Sequence, residues 1–283
     1  MTGDAWALDA TGLRALTERT AGRPEIAVAL LDGPVALDHP DLAEARLHPL
    51  GTAAAGCPTG GPACAHGTFV AGVLCARRSS PAPALAPGCT VLLSPIFVDS
   101  GGLPSADPEA VAEAIAAAVR AGARVINLRA GPARPSPSAL RSLELALDLA
   151  ARRQVVVVAA GGNEPGIGGS AITRHPAVIP VVAVGTDGRP RADATLAATV
   201  GRRGLAAPGD GVVSLAPGGG TARSSGSSVA APFVSGTLAL LWSLVPAAPT
   251  ERIKAAVLGV RSRRVLVPPL LDAAAAYAAL ARA

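Results

Sequence analysis

The sequence predicts an α/β fold with a mainly parallel central sheet, and three observations lead to this. Apolar runs of five to eight residues alternate with helical patterns of twelve to sixteen residues, as in successive βαβ units. Hydrophobic residues make up 50% of the 283 residues but aromatic residues only 2%, so small side chains allow close packing of helices on a sheet. No repeat or long linker divides the chain. We expect one main domain over residues 26–283, preceded by a short N-terminal extension over residues 1–25.

The predicted strands are apolar along their whole length, which is typical of strands buried on both faces. They are "IAVALLD" (26–32), "TVLLSPIF" (90–97), "ARVINL" (123–128), "VVVVAA" (155–160) and "VIPVVAVG" (178–185). Two helices lie between them. Asp107 is the N-cap of the first and Pro108 its first residue, and the second, over 138–153, ends on arginines that suit a helix C-terminus. The apolar run 229–245 predicts a buried helix, because proline, serine and glycine interrupt it.

Composition and charge exclude some classes of partner. The net charge is +5, carried by scattered arginines, with Lys254 as the single lysine. Because aromatic side chains for base stacking are scarce, nucleic-acid binding has no support. The N-terminus has no basic segment followed by an apolar one, so we expect a cytoplasmic protein that does not associate with membranes.

The four cysteines, Cys57, Cys64, Cys75 and Cys89, leave three states open. Free thiols are expected in the cytoplasm. Alternatively, the stretch "CPTGGPAC" could close a local bridge between Cys57 and Cys64. A third alternative is zinc bound by Cys57, Cys64 and His66, although no CxxC pair supports it. We expect free thiols and no metal.

Polar residues stand where a parallel sheet places its functional sites, beyond the carboxyl ends of the strands. Asp32 ends the first predicted strand, and Asn163 follows the fourth. His66, in "AHGTFVAGVL", is expected to open a helix of small residues. In "GSSVAAPFVSG", Ser227 and Ser228 stand at the start of another helix. Each has a structural explanation by itself, for instance a helix cap or a turn, but their order along the chain, each at a strand end or a helix start, argues against coincidence.

These residues resemble the motifs of the subtilisin-like serine proteases (subtilases). The similar segments are "ALLDGPVALDHPDL", "HGTFVAGVL", "VVVVAAGGNEPG", "GSSVAAPFVSG" and the closing "LLDAAAAY". "LDGPVALDHP", "SPIFVDS" and "APGDGVVSLAPGGGTARSSGSS" are also similar to the proteases that mature ribosomally made precursor peptides of the cyanobactin type. The resemblance implies a three-layer α/β/α subtilisin-like fold and a serine endopeptidase whose substrate is a peptide or protein, with a ribosomal precursor peptide as the candidate.

The resemblance also implies a role for each site residue. Ser228, third in Gly-Ser-Ser, would be the nucleophile, His66 the general base and Asp32 the residue that orients the imidazole. Asn163 and the backbone N–H of Ser228 would bind the oxyanion. The implied substrate-binding residues are Ser100, Gly101, Arg129, Ala130, Gly131, Ala160, Gly161 and Gly162.

The sequence departs from the subtilase pattern in several places. Arg129 stands where the family has a small serine; it either folds onto a surface carboxylate or contacts an acidic substrate side chain. The stretch "ARRSSPAPALAPG" has no carboxylate for the usual calcium loop, so we expect no calcium and no cofactor. Asp32 comes too early for a signal and a propeptide, so folding without a propeptide is expected.

Three alternatives to a hydrolase remain. One is a non-catalytic peptide-binding module with the subtilase fold. Another is a macrocyclising transpeptidase, but residues 33–65 are too short and too rich in glycine and proline for the helical lid of such relatives. Without such a lid, water can reach the acyl-enzyme, so we expect hydrolysis rather than cyclisation. The third is a nucleotide-binding protein, suggested by "PGGGTARSSGSS", which lacks the lysine of a phosphate loop.

Overall fold

The computed structural model describes residues 3–51, 56–57, 60–97, 106–129, 136–259 and 266–282. The strands, numbered in chain order, are β1 (Ala27–Asp32), β2 (Arg46–Pro49), β3 (Thr90–Pro95), β4 (Val125–Leu128), β5 (Val156–Ala160), β6 (Gly166–Ile167), β7 (Val178–Val184), β8 (Thr195–Leu196), β9 (Leu205–Pro208), β10 (Val212–Ala216) and β11 (Gly220–Ser224). The α-helices are α1 (Gly3–Ala10), α2 (Leu13–Thr17), α3 (Pro62–Cys75), α4 (Pro108–Arg120), α5 (Pro137–Arg152), α6 (Ala171–Arg174), α7 (Ala198–Arg203), α8 (Ser227–Leu244), α9 (Thr250–Leu258) and α10 (Ala273–Ala281).

Seven of the described strands form a parallel sheet in the order β2-β3-β1-β4-β5-β7-β9. The five strands expected from the sequence all lie in it, so the prediction of a mainly parallel sheet is confirmed. The sequence analysis missed β2 and β9. β2 is a mostly exposed strand of four residues that ends in proline, and β9 is equally short, so neither has a long apolar run. β10 and β11 form a separate antiparallel hairpin.

Alternate residues of the central strands face two different helical layers. Val28 and Leu30 of β1 belong to a core cluster built with α3 and α8, whereas Ala29 and Leu31 belong to a second cluster built with α4 and α5. Because successive side chains of a strand point to opposite faces, this division places one helical layer on each face of the sheet. The predicted three-layer α/β/α architecture is confirmed.

The expected helices are present, with small changes at their ends. Asp107 caps α4 by accepting a hydrogen bond from the N–H of Glu109, and α5 extends from Pro137 to Arg152. α8 is long and apolar enough to cross a membrane, but 89% of it is buried inside the protein. The expectation of a buried helix is therefore confirmed, and α8 is the central helix of its layer.

The segment expected as an N-terminal extension packs on the main body. Leu13 and Leu16 of α2 are fully buried in the cluster that contains α8. The N–H of Ala273, at the start of α10, donates to the carbonyl of Thr11 at 2.7 Å. The two ends of the chain thus share one layer of the structure.

Cys57 and Cys64 form a disulfide, with Cα atoms 5.6 Å apart. The expectation of free thiols is wrong for this pair, and so is the zinc alternative, because the two sulfurs are bonded to each other. Gly60, between the two cysteines, has a φ of 62°, which favours glycine. The expectation of free thiols rested on the compartment and gave too little weight to the short separation of 7 positions. Cys75 and Cys89 are free and buried, and burial raises the pKa of the Cys75 thiol to about 12.

Replacement of Trp242 tests the importance of α8. Its side chain is fully buried and its indole N–H donates to the carbonyl of Ala248. We expect Trp242→Ala to lower the free energy of unfolding by about 3–5 kcal/mol, because it leaves a large cavity. Urea denaturation would measure the loss. Trp6→Ala is the matched control and should lose less, because Trp6 is only half-buried; equal losses would contradict this description of the core.

A second prediction concerns the disulfide. The bridge joins residues 7 positions apart, and the loop-closure entropy that it removes from the unfolded chain corresponds to about 2–3 kcal/mol. We expect Cys57→Ser to be less stable than the oxidised protein by this amount in urea denaturation. In the presence of a reductant the two proteins should become equally stable. Equal stability without reductant would show that the bridge does not stabilise the fold.

Candidate active site

Asp32 lies buried at the carboxyl end of β1, between β3 and β4. Its side chain is 1% exposed, and Oδ1 accepts hydrogen bonds from the N–H of Gly33 and from Nδ1 of His66, both at 2.7 Å. Its carbonyl accepts from the N–H groups of Ile96 and Phe97, which follow β3. The backbone of the neighbouring strand thus fixes Asp32 on one side and the hydrogen bond to His66 fixes its carboxylate on the other.

His66 connects Asp32 to Ser228. A carboxylate only accepts, so Nδ1 of His66 carries the proton towards Asp32 and Nε2 of the neutral ring is an acceptor. Nε2 lies 2.7 Å from Oγ of Ser228. His66 was expected to open its helix, but α3 begins at Pro62, so His66 lies in the second turn. The proline at the first helical position starts the helix earlier than the His-Gly-Thr motif suggested.

α3 approaches the segment after β1 so closely that a side chain at Gly67 has no room. A Cβ at this position would lie 2.3 Å from the carbonyl oxygen of Gly33. One residue further on, Oγ1 of Thr68 accepts a hydrogen bond from the N–H of Ala36 at 2.9 Å. These two contacts fix α3 against the β1 segment on both sides of the imidazole.

The two serines at the start of α8 have different surroundings. Ser227 is fully buried, and its Oγ donates to the carbonyl of Gly162 at 2.8 Å. Ser228 is half-buried, and its Oγ faces His66. The N-cap Gly226 has φ 136°, where glycine is favoured, and a Cβ there would lie 2.8 Å from Nδ2 of Asn163. The structure therefore brings Ser228, and not Ser227, to the imidazole.

Asn163 has one side of its amide fixed. Its Oδ1 accepts from the N–H of Ser227 at 2.8 Å, which leaves Nδ2 as a donor on the other side of the amide, beside Gly226. The N–H of Ser228 lies in the first turn of α8, where a helix provides no acceptor for it. Two hydrogen-bond donors are thus present at the N-terminus of the helix that carries the Ser228 hydroxyl.

A cavity of about 310 Å³ adjoins Asn163 and is lined by residues 160–170 and Thr195. Ala160, Gly161 and Gly162, expected to bind substrate, lie in its wall. The exposed Glu164 and the half-buried Thr195 also line it and were missed by the sequence analysis. They hydrogen-bond to each other through Oγ1 of Thr195, but Thr195 comes from a polar stretch with no motif that could have revealed it.

Among the described residues, the carboxylate beside Arg129 is buried and not on the surface, which contradicts the first of the two alternatives. Nη1 of Arg129 lies 3.9 Å from Oδ1 of the buried Asp32, and its guanidinium stacks 4.7 Å from the ring centroid of Phe97. The strand order explains this, because β4 lies next to β1. The other expected substrate-binding residues, Ser100, Gly101, Ala130 and Gly131, lie outside the described residues.

This arrangement can perform nucleophilic chemistry. A hydroxyl 2.7 Å from a neutral imidazole nitrogen can transfer its proton while it attacks an electrophilic carbon. The buried carboxylate keeps the imidazole in the required tautomer, and the donors at the start of α8 can stabilise an oxyanion. Among the described residues, no group of three His, Cys, Asp or Glu side chains is placed to hold a metal ion.

Comparison with known proteins identifies the family. The profile of the Subtilase family matches residues 23–261. Subtilisin amylosacchariticus from Bacillus subtilis subsp. amylosacchariticus is 30% identical over 182 residues, which cover 64% of this chain and 46% of the relative. The chain therefore spans about half the length of the first curated relatives it matches.

The solved structures give a closer match in extent. The patellamide maturation protease PatA is 32% identical, with a TM-score of 0.77 over 92% of this chain and 98% of PatA. The prenylagaramide maturation protease PagA is 31% identical, with a TM-score of 0.82 over 95% of this chain and 98% of PagA. The PatG macrocyclase in complex with peptide, at 21% identity and a TM-score of 0.81 over 96% and 97%, shares the fold. The resemblance to maturation proteases is confirmed, and with the profile match over most of its length the chain belongs to the subtilase family.

Proposed function

We propose that this protein is a serine endopeptidase that hydrolyses peptide bonds through an acyl-enzyme. The observation that carries the proposal is the continuous hydrogen-bonded chain from Asp32 through His66 to Ser228, with 2.7 Å at each step. Subtilases are serine proteases, and this arrangement of carboxylate, imidazole and hydroxyl is the one that such chemistry requires. A non-catalytic peptide-binding module would have no need of this alignment.

The proposed reaction has two halves. Oγ of Ser228 attacks the substrate carbonyl carbon while its proton moves to Nε2 of His66, and Asp32 stabilises the imidazolium. The carbonyl oxygen, now negative, accepts hydrogen bonds from Nδ2 of Asn163 and the N–H of Ser228. The C–N bond then breaks, and His66 gives its proton to the leaving amine. In the second half, water attacks the acyl-enzyme and gives a proton to His66. The ester bond to Ser228 then breaks, the acid product leaves, and His66 passes that proton to Oγ of Ser228.

The proposed substrate is a ribosomally made precursor peptide. Support comes from the likeness to PatA and PagA, both titled maturation proteases.

The cavity beside Asn163 is proposed to receive a substrate side chain, with Ala160, Gly161 and Gly162 contacting the main chain of the substrate. Ser100, Gly101, Ala130 and Gly131 remain proposed substrate contacts on the family resemblance. We propose a cytoplasmic location, although the Cys57–Cys64 bridge is more typical of an oxidising compartment; cell fractionation decides this.

Hydrolysis is proposed over macrocyclisation. The described part of residues 33–61 contains a short 3-10 turn over Pro40–Leu42 and β2, with no α-helix that could cover the acyl-enzyme. Water can therefore compete with the amine of the substrate for the acyl-enzyme.

A nucleotide site is disfavoured too, because the glycine-rich run before α8 forms the β10–β11 hairpin rather than a loop between a parallel strand and a helix.

The two adjacent serines provide a sharp test of the nucleophile. A fluorophosphonate probe should label the wild-type protein, and Ser228→Ala should abolish the labelling. Ser227→Ala is the matched control and should still be labelled, because the Ser227 hydroxyl bonds to Gly162 and not to His66. Gel fluorescence and mass spectrometry of the labelled peptide measure this. Labelling that persists in Ser228→Ala would refute the proposal.

Two variants of Asn163 separate its hydrogen bond to the N–H of Ser227 from its proposed donation to the oxyanion. Asn163→Asp keeps an oxygen for the N–H of Ser227 but loses the donor, whereas Asn163→Ala loses both. We expect both variants to lower kcat by about 100–1,000-fold with little change in KM, the loss known for one such donor in subtilisin. Steady-state kinetics with a peptide that the wild-type protein cleaves, selected from a peptide library, would measure kcat and KM. Full activity in Asn163→Asp would assign Asn163 a structural role instead.

A further inference from the structure

We propose that Arg129 is a positioning residue for the Asp32–His66 pair. In this inference, which rests on the proposed function, the guanidinium compensates the charge of the buried carboxylate and holds it in the position that orients the imidazole. Arg129 would therefore act through Asp32 and not through a side chain of the substrate.

The strand order places the three participants side by side. β3, β1 and β4 are neighbours in the sheet, and Phe97, Asp32 and Arg129 lie at or just beyond their carboxyl ends. The N–H of Arg129 donates to the carbonyl of Leu31, which extends the β1–β4 pairing by one step. The Arg129 guanidinium lies over the Phe97 ring and beside the Asp32 carboxylate. An aromatic face on one side and a carboxylate on the other are both favourable for this cation.

The described hydrogen bonds satisfy only part of the polar atoms of Asp32 and Arg129. Oδ1 of Asp32 has two neutral donors, Gly33 and His66, and Oδ2 is buried with no hydrogen-bond partner among the described residues. Nη1 of Arg129 is also buried, it has no hydrogen-bond partner in the part of the chain that the structure describes, and it lies 3.9 Å from Oδ1. At this separation the interaction is electrostatic, and it is strong because both atoms are shielded from water. Arg129 is the only arginine or lysine paired with Asp32 among the described residues, and removal of the partner of a buried charge is costly.

The burial of Nη1 also argues against a substrate contact. Arginines frequently bind an acidic side chain through two nitrogens in a fork, and an enclosed Nη1 leaves Arg129 fewer nitrogens for such a fork. In Arg129 one of the two is enclosed beside Asp32, and only 22% of the side chain is exposed. The guanidinium therefore interacts with Asp32 in the interior of the site rather than with a substrate side chain.

Labelling by a fluorophosphonate separates the two roles, because the probe has no peptide side chain. We expect Arg129→Met to slow the labelling of Ser228 by about 10–100-fold, as misplacement of a catalytic group does. For neutral peptides kcat should fall similarly with KM within about twofold, and Arg129→Lys should recover part of the loss. An unchanged labelling rate, or an effect confined to KM for acidic peptides, would overturn the proposal and assign Arg129 to the substrate.

A matched control and a double mutant complete the test. Arg77 pairs with the buried Asp41 elsewhere in the fold, so Arg77→Met also removes an arginine from a buried aspartate and should leave the labelling rate within about twofold. In an Asp32→Asn background the carboxylate charge is absent, and Arg129→Met should add little further loss. Independent, multiplicative losses would overturn the proposal.

The proposal can be tested even if the Arg129→Met variant is unstable. Thermal melts identify a folding defect in Arg129→Met, and Phe97→Leu then serves as the second variant, because it removes the stacking face and keeps the charge. It should slow labelling by a few fold, as loss of an aromatic partner does. Wild-type labelling at Ser228 tests the proposed function separately: its absence would refute that function, whereas normal wild-type labelling with unaffected Arg129 and Phe97 variants would refute this inference alone.

Discussion

The hydrogen bond between Nδ1 of His66 and Oδ1 of Asp32 is the interaction on which the site depends. It fixes the tautomer, and only this tautomer presents Nε2 as an acceptor to Ser228. To form it, α3 must contact the end of β1 at backbone distance. A Cβ at Gly33 would lie 2.0 Å from the carbonyl oxygen of Ala63, so the glycine is required there. The low content of large side chains thus has a functional consequence as well as a packing one.

The same requirement explains why the constraints on α3 cluster around the imidazole. Cys64 is bridged to Cys57 two residues before His66, and Thr68 bonds to the β1 segment two residues after it. Ser214 donates to the carbonyl of Phe69 from the hairpin side. Because these contacts come from separate parts of the chain, the helix can neither rotate nor slide without breaking several of them. The position of the imidazole is therefore determined by the whole layer.

Much of the fold could be predicted because its signals are local. Strands buried on both faces are continuous apolar runs, and Asp107 marks the start of α4 by its own hydrogen bond. β2 could not be found, because its pairing with β3 stabilises it and its four residues have no apolar pattern. The partner of Arg129 was missed for a similar reason. Asp32 is 97 positions away in the chain, and only the strand order, which no local pattern encodes, makes them neighbours.

The site has an exposure gradient that bears on its chemistry. Asp32 is 1% exposed and the His66 side chain 14% exposed, whereas Ser228 is half-buried at the mouth of α8. The charged carboxylate is therefore at the buried end of the site, where electrostatic interactions are strongest, and the proposed nucleophile is at the solvent-facing end. In the proposed mechanism, proton transfer from Ser228 to His66 places a positive charge next to the buried Asp32, which balances it. An acyl group on Ser228 would remain within reach of solvent, so the same geometry would also favour release of the product by water.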